Sequence, residues 1–151
     1  MDSEHNILNS EKINGITLVA THNPIDSTAI TPIVNFNANH AVIVPYAWMK
    51  ALDEPQVHYD EVRGDWGEKP HGVKKTIALM KAQQLDILIK PQLWIGHGDY
   101  TGNIHLTTEE DWKTLENSYT NYIMRFVTIA AQENVAMFCV GTELDSFVKL
   151  R

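Results

Sequence analysis

Cysteine is almost absent from the sequence, which has 151 residues and contains a single one, Cys139. A disulfide needs two cysteines, so no disulfide framework is predicted, and the apolar neighbours of Cys139 favour a small buried side chain. Clusters of lysine and arginine are also missing, and the net charge is -7. Nucleic acids and anionic membranes bind positive patches, so neither is an expected partner. No run of about 18 apolar residues is present, so we expect no membrane span.

The N-terminus has neither the basic start nor the apolar core of a secretory signal peptide. We therefore predict a flexible tail over residues 1–12. We also predict a soluble protein, cytoplasmic as written and extracytoplasmic if a leader had been removed from it. The remaining residues, 13–151, suffice for one domain, since a chain of this length buries about 68 to 70% of its unfolded surface. No cofactor is expected.

Strand and helix patterns alternate along the chain. Apolar, β-branched runs predict the strands, and helical periodicity or capping residues predict the helices between them. Pro45 indicates that the regular ladder of the second strand ends near it. This βαβαβαβα order predicts an α/β fold with a parallel sheet and right-handed crossovers. The predicted strands cover residues 13–20, 41–47, 86–94 and a run from 135, and the predicted helices cover 28–37, 71–84, 107–133 and a segment from 145.

The connections differ in length at the two ends of the predicted strands. The segments that follow the second and third strands are long, and residues 48–70 include two tryptophans. The helix-to-strand connections are short. In β/α proteins this asymmetry places the functional face at the carboxyl ends of the strands. The polar and aromatic side chains expected to converge there are His22, Asn23, Trp48, Lys90, Gln92, Trp94, His97 and Glu143.

The run V-A-M-F-C-V-G-T-E-L, at 135–144, is apolar up to Gly141 and is followed by a carboxylate, Glu143. A run of this kind predicts a strand buried on both faces. In a β/α barrel the catalytic groups lie at the carboxyl ends of the strands, which makes Glu143 a candidate catalytic acid. Alternatively, Glu143 opens the next helix, where the helix dipole favours a carboxylate by about 0.3 to 1 kcal/mol. Its position alone does not decide between these two interpretations.

The long segments carry residue types that bind carbohydrate. A sugar presents apolar faces and a ring of hydroxyl groups, so its site needs aromatic platforms and side chains that donate and accept hydrogen bonds. Alternatively, some of the tryptophans only close the mouth of the barrel by packing. Lys90 lies inside a predicted strand, where it either pairs with a carboxylate such as Glu143 or points to the outer surface. The predicted carbohydrate-binding set comprises Trp48, Trp66, Trp94, Tyr100, Asn23, Gln92 and Asn103.

Several motifs resemble glycoside hydrolases of family 113. They are G-I-T-L-V-A near the N-terminus, the segment from H-G-V-K-K-T to K-P-Q-L-W-I, the loop Y-T-G-N-I, and F-C-V-G-T-E-L. The resemblance implies a (β/α)8 TIM barrel of the retaining clan that cleaves β-linked, mannan-like glycans. It also implies that residues 13–151 form the N-terminal half of that barrel, roughly the first four β/α units.

The resemblance implies roles for single residues as well. Glu143 corresponds to the general acid/base at the end of the fourth strand, and a retaining enzyme needs a nucleophilic carboxylate about 5 to 5.5 Å away, at the end of a seventh strand. Thr142 stands where many clan members have an asparagine that binds the sugar 2-hydroxyl. Gln92 stands where relatives often have a histidine. The predicted substrate-binding residues are His22, Asn23, Trp48, Trp66, Lys90, Gln92, Trp94 and Thr142.

The sequence contains no seventh strand. We expect either that it is part of a longer chain, the favoured interpretation, or that it pairs with another chain. Alone it should be inactive and should self-associate through the open edges of the half-barrel. One alternative function is a non-catalytic carbohydrate-binding or interaction barrel, and another is a metal-dependent TIM-barrel hydrolase. The possible metal ligands fit no established spacing, and the favoured interpretation assigns no metal. They are His22, His58, His97, Asp99 and His105.

Overall fold

The computed structural model describes residues 12–151, so the predicted tail, except for its last residue, lies outside the described part of the chain. Within this range, six strands and four α-helices follow one another, with short 3₁₀ turns between them. The strands are β1 (Gly15–Leu18), β2 (His40–Ile43), β3 (Tyr46–Met49), β4 (Asp86–Ile89), β5 (Gln92–Ile95) and β6 (Met137–Phe138). The helices are α1 (Thr31–Asn35), α2 (Pro70–Ala82), α3 (Glu109–Gln132) and α4 (Asp145–Leu150).

A four-stranded parallel sheet forms the centre of the fold, in the order β1-β2-β4-β6. The register pairs Ile43 of β2 with Leu18 of β1 and with Ile89 of β4. Ile89 in turn pairs with Phe138 of β6. Helices connect the parallel neighbours, as right-handed β/α crossovers require. The parallel α/β arrangement predicted from the sequence is therefore confirmed.

Prolines divide two of the predicted strands. The sequence predicts single strands over 41–47 and 86–94, but the chain leaves the central sheet at Pro45 and again at Pro91. Proline has no N–H to donate to the ladder, and it restricts the backbone of the residue before it. Past the prolines, β3 and β5 pair with each other as a separate two-stranded parallel sheet. The prediction of two unbroken strands was wrong, although Pro45 marked the first break.

The longest helix, α3, has 24 residues and covers the central sheet with one apolar stripe. Trp112, Leu115, Tyr122, Phe126 and Ile129 on this stripe are buried. Their spacing of three and four residues is the one that a helix with a single buried face requires. Neither α3 nor any other helix in residues 12–151 is long and apolar enough to cross a membrane.

Two helix starts differ from those predicted. The predicted helix over 107–133 begins later than expected, because α3 starts at Glu109 and Thr108 is its N-cap: the Thr108 hydroxyl accepts a hydrogen bond from Asp111 N at 3.1 Å and donates to the Asp111 carboxylate at 2.6 Å. The predicted helix over 28–37 is a 3₁₀ turn, capped by Asp26, followed by the short α1. Pro32 lies in the first turn of α1, where its missing N–H has no helical acceptor in any case.

Each of the first three helices returns to the sheet through the same tight turn. Asn37, Gln84 and Asn134, just past the ends of α1, α2 and α3, adopt left-handed backbone with φ of 53°, 60° and 48°. The backbone N–H of the next residue donates a hydrogen bond to the carbonyl five residues before it, for example from Val135 N to Ala130 O at 2.9 Å. This pattern ends a helix abruptly. The short returns therefore lie at one end of the sheet, and the long segments lie at the other.

The central sheet has two open edges, β1 and β6. β6 has only two residues, and beyond it Val140 and Val148 are 72% and 71% exposed. Unpaired backbone groups and exposed apolar side chains favour pairing with a further strand. Self-association of the chain through these edges stays a prediction.

Candidate active site

The two-stranded sheet presents one polar and aromatic face. Side chains alternate along a strand, so residues two apart share a face. Tyr46 and Trp48 of β3 share a face with their register partners Gln92 and Trp94 of β5. The opposite face, which includes Ala47, is buried. On the aromatic face, Trp48 is 44% exposed and Trp94 is 52% exposed. Beyond the carboxyl ends of β2 and β4, the chain thus forms a surface rich in aromatic rings.

The Trp48 ring is held in place by His58. The two rings stack with centroids 4.4 Å apart and planes inclined by 21°. Their backbones form an antiparallel bridge, with 2.9 Å from Trp48 N to His58 O and 2.8 Å from His58 N to Trp48 O. The stack and the two backbone bonds restrict the indole before any ligand arrives. An ordered platform of this kind binds with a smaller loss of entropy.

A chain of hydrogen bonds connects the ends of three strands. The Tyr46 hydroxyl donates to Gln92 Oε1 at 2.8 Å. The Gln92 amide nitrogen Nε2 then donates to the Thr142 hydroxyl at 3.3 Å. Thr142 lies in the segment that follows β6, next to Glu143. The amide of Gln92 therefore orients polar groups from β3 and from the segment after β6 toward one another.

Glu143 lies beyond the end of β6, at the mouth of the half-barrel. It lines a cleft of about 430 Å³ together with Tyr46, Gln92, Trp94 and Tyr100. Glu143 itself is exposed, so its carboxylate is accessible to a ligand. The acid therefore shares a cleft with the aromatic surface.

The backbone of Glu143 is strained. Its φ is 56°, in the left-handed region, which costs an L-residue about 1 to 2 kcal/mol. The Thr101 hydroxyl donates to the Glu143 carbonyl at 2.9 Å and helps to hold this conformation. α4 begins at Asp145 with Leu144 as its N-cap, and no side chain caps it. Glu143 is therefore not the N-cap of α4.

Comparison with known proteins identifies the family. The sequence model of Glycoside Hydrolase Family 113 matches residues 22–149. The chain belongs to glycoside hydrolase family 113. No curated protein sequence is significantly similar to it.

Solved structures of the same family share the fold. The GH113 β-mannanase AaManA from Alicyclobacillus acidocaldarius, in complex with ManMIm, has a TM-score of 0.80 and 20% identity, over 89% of this chain and 46% of that chain. Two structures of GH113 β-1,4-mannanase have TM-scores of 0.75 and 0.71 at 18% identity, over 91% and 88% of this chain and 48% and 46% of theirs. This chain thus spans about half the length of these relatives. The predicted (β/α)8 TIM-barrel fold, of which the chain covers roughly the first four β/α units, is confirmed.

Several of the predicted site residues of this family 113 chain lie together. Trp48 and Trp94 line a second cleft that adjoins the one lined by Gln92, Trp94 and Glu143. Thr142 joins this group through its hydrogen bond with Gln92. Residues from three different strand ends therefore converge, as expected for a functional face at the carboxyl ends of parallel strands.

Three other predicted residues lie outside these two clefts. His22 is exposed, and its ring nitrogen Nδ1 lies 3.0 Å from Asp65 Oδ1. Asn23 is exposed in the same loop. Trp66 packs edge-on against His71 of α2, with ring centroids 6.1 Å apart. Their predicted roles in substrate binding stay predictions.

Two predictions about charged and metal-binding groups find no counterpart in the structure. Lys90 is half-buried, and it forms no ion pair with Glu143. Among residues 12–151, no three side chains of histidine, cysteine, aspartate or glutamate lie close enough to hold a metal ion. The histidines that prompted the metal-dependent alternative, including His97 and His105, are therefore not assembled into a site.

Sequence reasoning missed two cleft residues, Tyr46 and Glu68. Tyr46 could have been found from the strand alternation, because it lies two residues before Trp48. Burial, followed by the negative charges of Glu68 and Glu143, raises the pKa of the Tyr46 hydroxyl, and Tyr46 lines a cleft with each of these carboxylates. Glu68 has no such local signal, since a long loop delivers it to the cleft.

Proposed function

We propose that the chain forms the N-terminal, acid/base-bearing half of a retaining glycoside hydrolase that cleaves β-linked, mannan-like glycans. The observation that carries the proposal is the position of Glu143, which lines the same cleft as Tyr46 and Trp94. Membership of family 113, and a fold shared with β-mannanases, support the same activity. Residues 13–151 then correspond to the N-terminal half of the barrel domain.

In the proposed mechanism Glu143 acts twice. It first protonates the glycosidic oxygen of the departing sugar, and then, as a carboxylate, removes a proton from the water that releases the glycosyl-enzyme intermediate. The nucleophilic carboxylate, about 5 to 5.5 Å from the acid/base, attacks the anomeric carbon. We propose that it lies outside this chain.

The remaining cleft residues are proposed to bind the glycan. The exposed rings of Trp48 and Trp94 support the apolar faces of sugar rings. Gln92 and Thr142, which are hydrogen-bonded to each other at 3.3 Å, offer amide and hydroxyl groups to the sugar hydroxyls beside Glu143. An oligo- or polysaccharide is therefore the proposed ligand.

The test of the acid/base role is the substitution Glu143→Gln in a protein that contains both halves of the barrel. The amide cannot donate the proton, so kcat/KM on β-1,4-mannan should fall by about 10²- to 10⁴-fold. Activated aryl β-mannosides should lose far less, because their leaving group departs without protonation. Glu110→Gln, which changes an exposed carboxylate on α3, is the matched control and should leave both rates unchanged. Equal losses on the two kinds of substrate would contradict the role of Glu143.

A non-catalytic glycan-binding protein is the second candidate. It is favoured by one observation: Trp48, Gln92 and Trp94 of the aromatic surface all lie within this chain, whereas a double displacement needs a second carboxylate opposite Glu143. The two candidates differ in one measurement. A protein with both barrel halves that binds mannotetraose but releases no shorter sugar would support binding alone.

A further inference from the structure

Glu68 is a second carboxylate beside the aromatic surface. It ends the 3₁₀ turn Trp66–Glu68 and lines a cleft of about 420 Å³ with Tyr46, Trp48 and Trp94. This cleft adjoins the one that contains Glu143, since Tyr46 and Trp94 line both. Glu68 and Glu143 therefore line adjoining clefts on one surface.

The backbone around Glu68 is held firmly against the end of β1. Gly67 N donates to Thr21 O at 2.9 Å, and the Glu68 carbonyl accepts a hydrogen bond from the Tyr59 hydroxyl at 2.8 Å. Gly67 is packed so closely that a Cβ there would lie 2.8 Å from Thr21 N. The turn cannot move away without breaking these contacts. Glu68 is therefore presented to the cleft from a fixed position.

The Glu68 carboxylate has no partner of its own. Among residues 12–151, no group donates a hydrogen bond to it and no cation forms an ion pair with it. The neighbouring Lys69 is only 4% exposed, and its Nζ donates to Asp60 O at 2.6 Å and lies over the Tyr59 ring. Burial, followed by the charge of Asp65, raises the pKa of Glu68. A half-buried carboxylate without a partner lowers stability, which favours a role in binding.

We propose that Glu68 binds the glycan directly, by accepting hydrogen bonds from hydroxyl groups of a sugar ring stacked on Trp48 and Trp94. The inference rests on the proposed function, because it takes the ligand to be a glycan. An aromatic ring contacts the apolar face of a sugar and leaves the sugar hydroxyl groups at the rim, where they can donate hydrogen bonds to a carboxylate. Hydrogen bonds to a charged acceptor are about twice as strong as neutral ones. Glu68 and Glu143 together then favour neutral glycans and repel those that carry carboxylates.

The experiment uses a protein that contains both halves of the barrel and carries Glu143→Gln to prevent cleavage, titrates it with β-1,4-mannotetraose and follows tryptophan fluorescence. Glu68→Gln should weaken binding by about ten- to a hundredfold, which corresponds to a charge-assisted hydrogen bond of about 1.5 to 3 kcal/mol. Asp53→Asn removes an exposed carboxylate that lines neither cleft, so it should leave the affinity unchanged. Glu68→Gln should melt at or above the wild-type temperature, because it removes a desolvated charge. If it fails to fold, Glu68→Asp, which keeps the charge but withdraws it by one methylene, takes its place.

A second readout separates binding from a structural role. The protein with Glu68 intact should bind mannotetraose more tightly than the matching tetramannuronate, and Glu68→Gln should narrow the ratio of the two affinities, because the charge that repels the uronate is gone. A folded variant with unchanged affinity and unchanged ratio overturns the inference about Glu68 and leaves the proposed function standing. A folded two-half protein with Glu68 intact that binds neither sugar, even at high millimolar concentrations, overturns both.

Discussion

The two parallel sheets differ in what their faces contact. In the four-stranded sheet Ile43, Ile87 and Ile89 are buried, and the side chains between them, such as Leu88, are half-buried. One face of β2 and β4 is therefore buried, and the other is largely half-buried. The two-stranded sheet is buried on one face only, and its other face carries exposed aromatic rings. The first sheet stabilises the fold, and the second presents the candidate site.

Two stretches of chain each contribute one strand to either sheet. Pro45 separates β2 from β3, and Pro91 separates β4 from β5. A residue without an N–H interrupts the ladder, so each stretch leaves the central sheet and re-pairs beside it. Consecutive parts of one stretch of chain therefore belong to the packed core and to the candidate site. Substitutions in the two parts should therefore have different consequences.

The largest effect is expected in the four-stranded sheet. Ile89 is fully buried and pairs with strands on both sides. Ile89→Ala should lower the free energy of unfolding by about 2 to 5 kcal/mol, because it leaves a cavity in a packed layer. Urea denaturation followed by circular dichroism measures this change. Val140→Ala is the control: Val140 is 72% exposed, so the change should stay within about 0.5 kcal/mol. Similar losses for the two variants would contradict the assignment of the core.

The next effect separates two tryptophans, Trp48 on the two-stranded sheet and Trp66 in the 3₁₀ turn Trp66–Glu68. Trp48→Ala should weaken mannotetraose binding by about tenfold or more, about 1.4 kcal/mol, because it removes a platform ring. It should change the melting temperature little, since the ring is exposed. Trp66→Ala should do the reverse, because Trp66 packs against His71 and lines neither cleft. Fluorescence titration and thermal unfolding of both variants test the pair. A loss of binding in Trp66→Ala without a loss of stability would indicate that Trp66 contributes to the binding site.

The smallest effect concerns the segment that leads to Glu143. The Tyr119 hydroxyl donates to Val140 O at 2.8 Å, and Tyr119→Phe should cost about 0.5 to 1.5 kcal/mol of stability at neutral pH. Burial raises the pKa of Tyr119 to about 12, whereas a phenol in the unfolded chain ionises near pH 10.

The sign of the pH dependence follows from these two pKa values. Between about pH 10 and 12 the unfolded chain releases the Tyr119 proton and the folded chain keeps it, so stability falls as the pH rises. The free energy of unfolding of Tyr119→Phe should fall less over this range, and the difference is at most the contribution of one titrating proton. Unfolding curves across the range measure the difference. The remaining loss is expected from Tyr59 and Tyr122, whose pKa values are raised by burial as well. Parallel curves for the two proteins would contradict the buried position of the Tyr119 hydroxyl.

Sequence patterns located much of the candidate site. Trp48, Gln92 and Trp94 were predicted there because they follow apolar strands, and they line the two clefts. Glu143 was singled out because an acid follows a buried strand in a β/α order. Tyr46 was missed because the sequence predicts one unbroken strand over 41–47. In the structure the chain leaves that strand at Pro45, and Tyr46 then faces the cleft.

Local patterns predict the order of the β/α units, the apolar stripe of α3 and the acid after the fourth predicted strand. They can do so because apolar spacing and helix-end residues belong to short segments. The directions of Trp66 and Glu68 do not follow from local patterns. These residues are two positions apart, yet one packs on α2 and the other faces the cleft. Their orientation depends on backbone hydrogen bonds from Trp66 and Gly67 to His22 and Thr21. Contacts between segments so distant in the chain leave no periodic trace in the sequence, so folding alone brings Glu68 beside the aromatic rings.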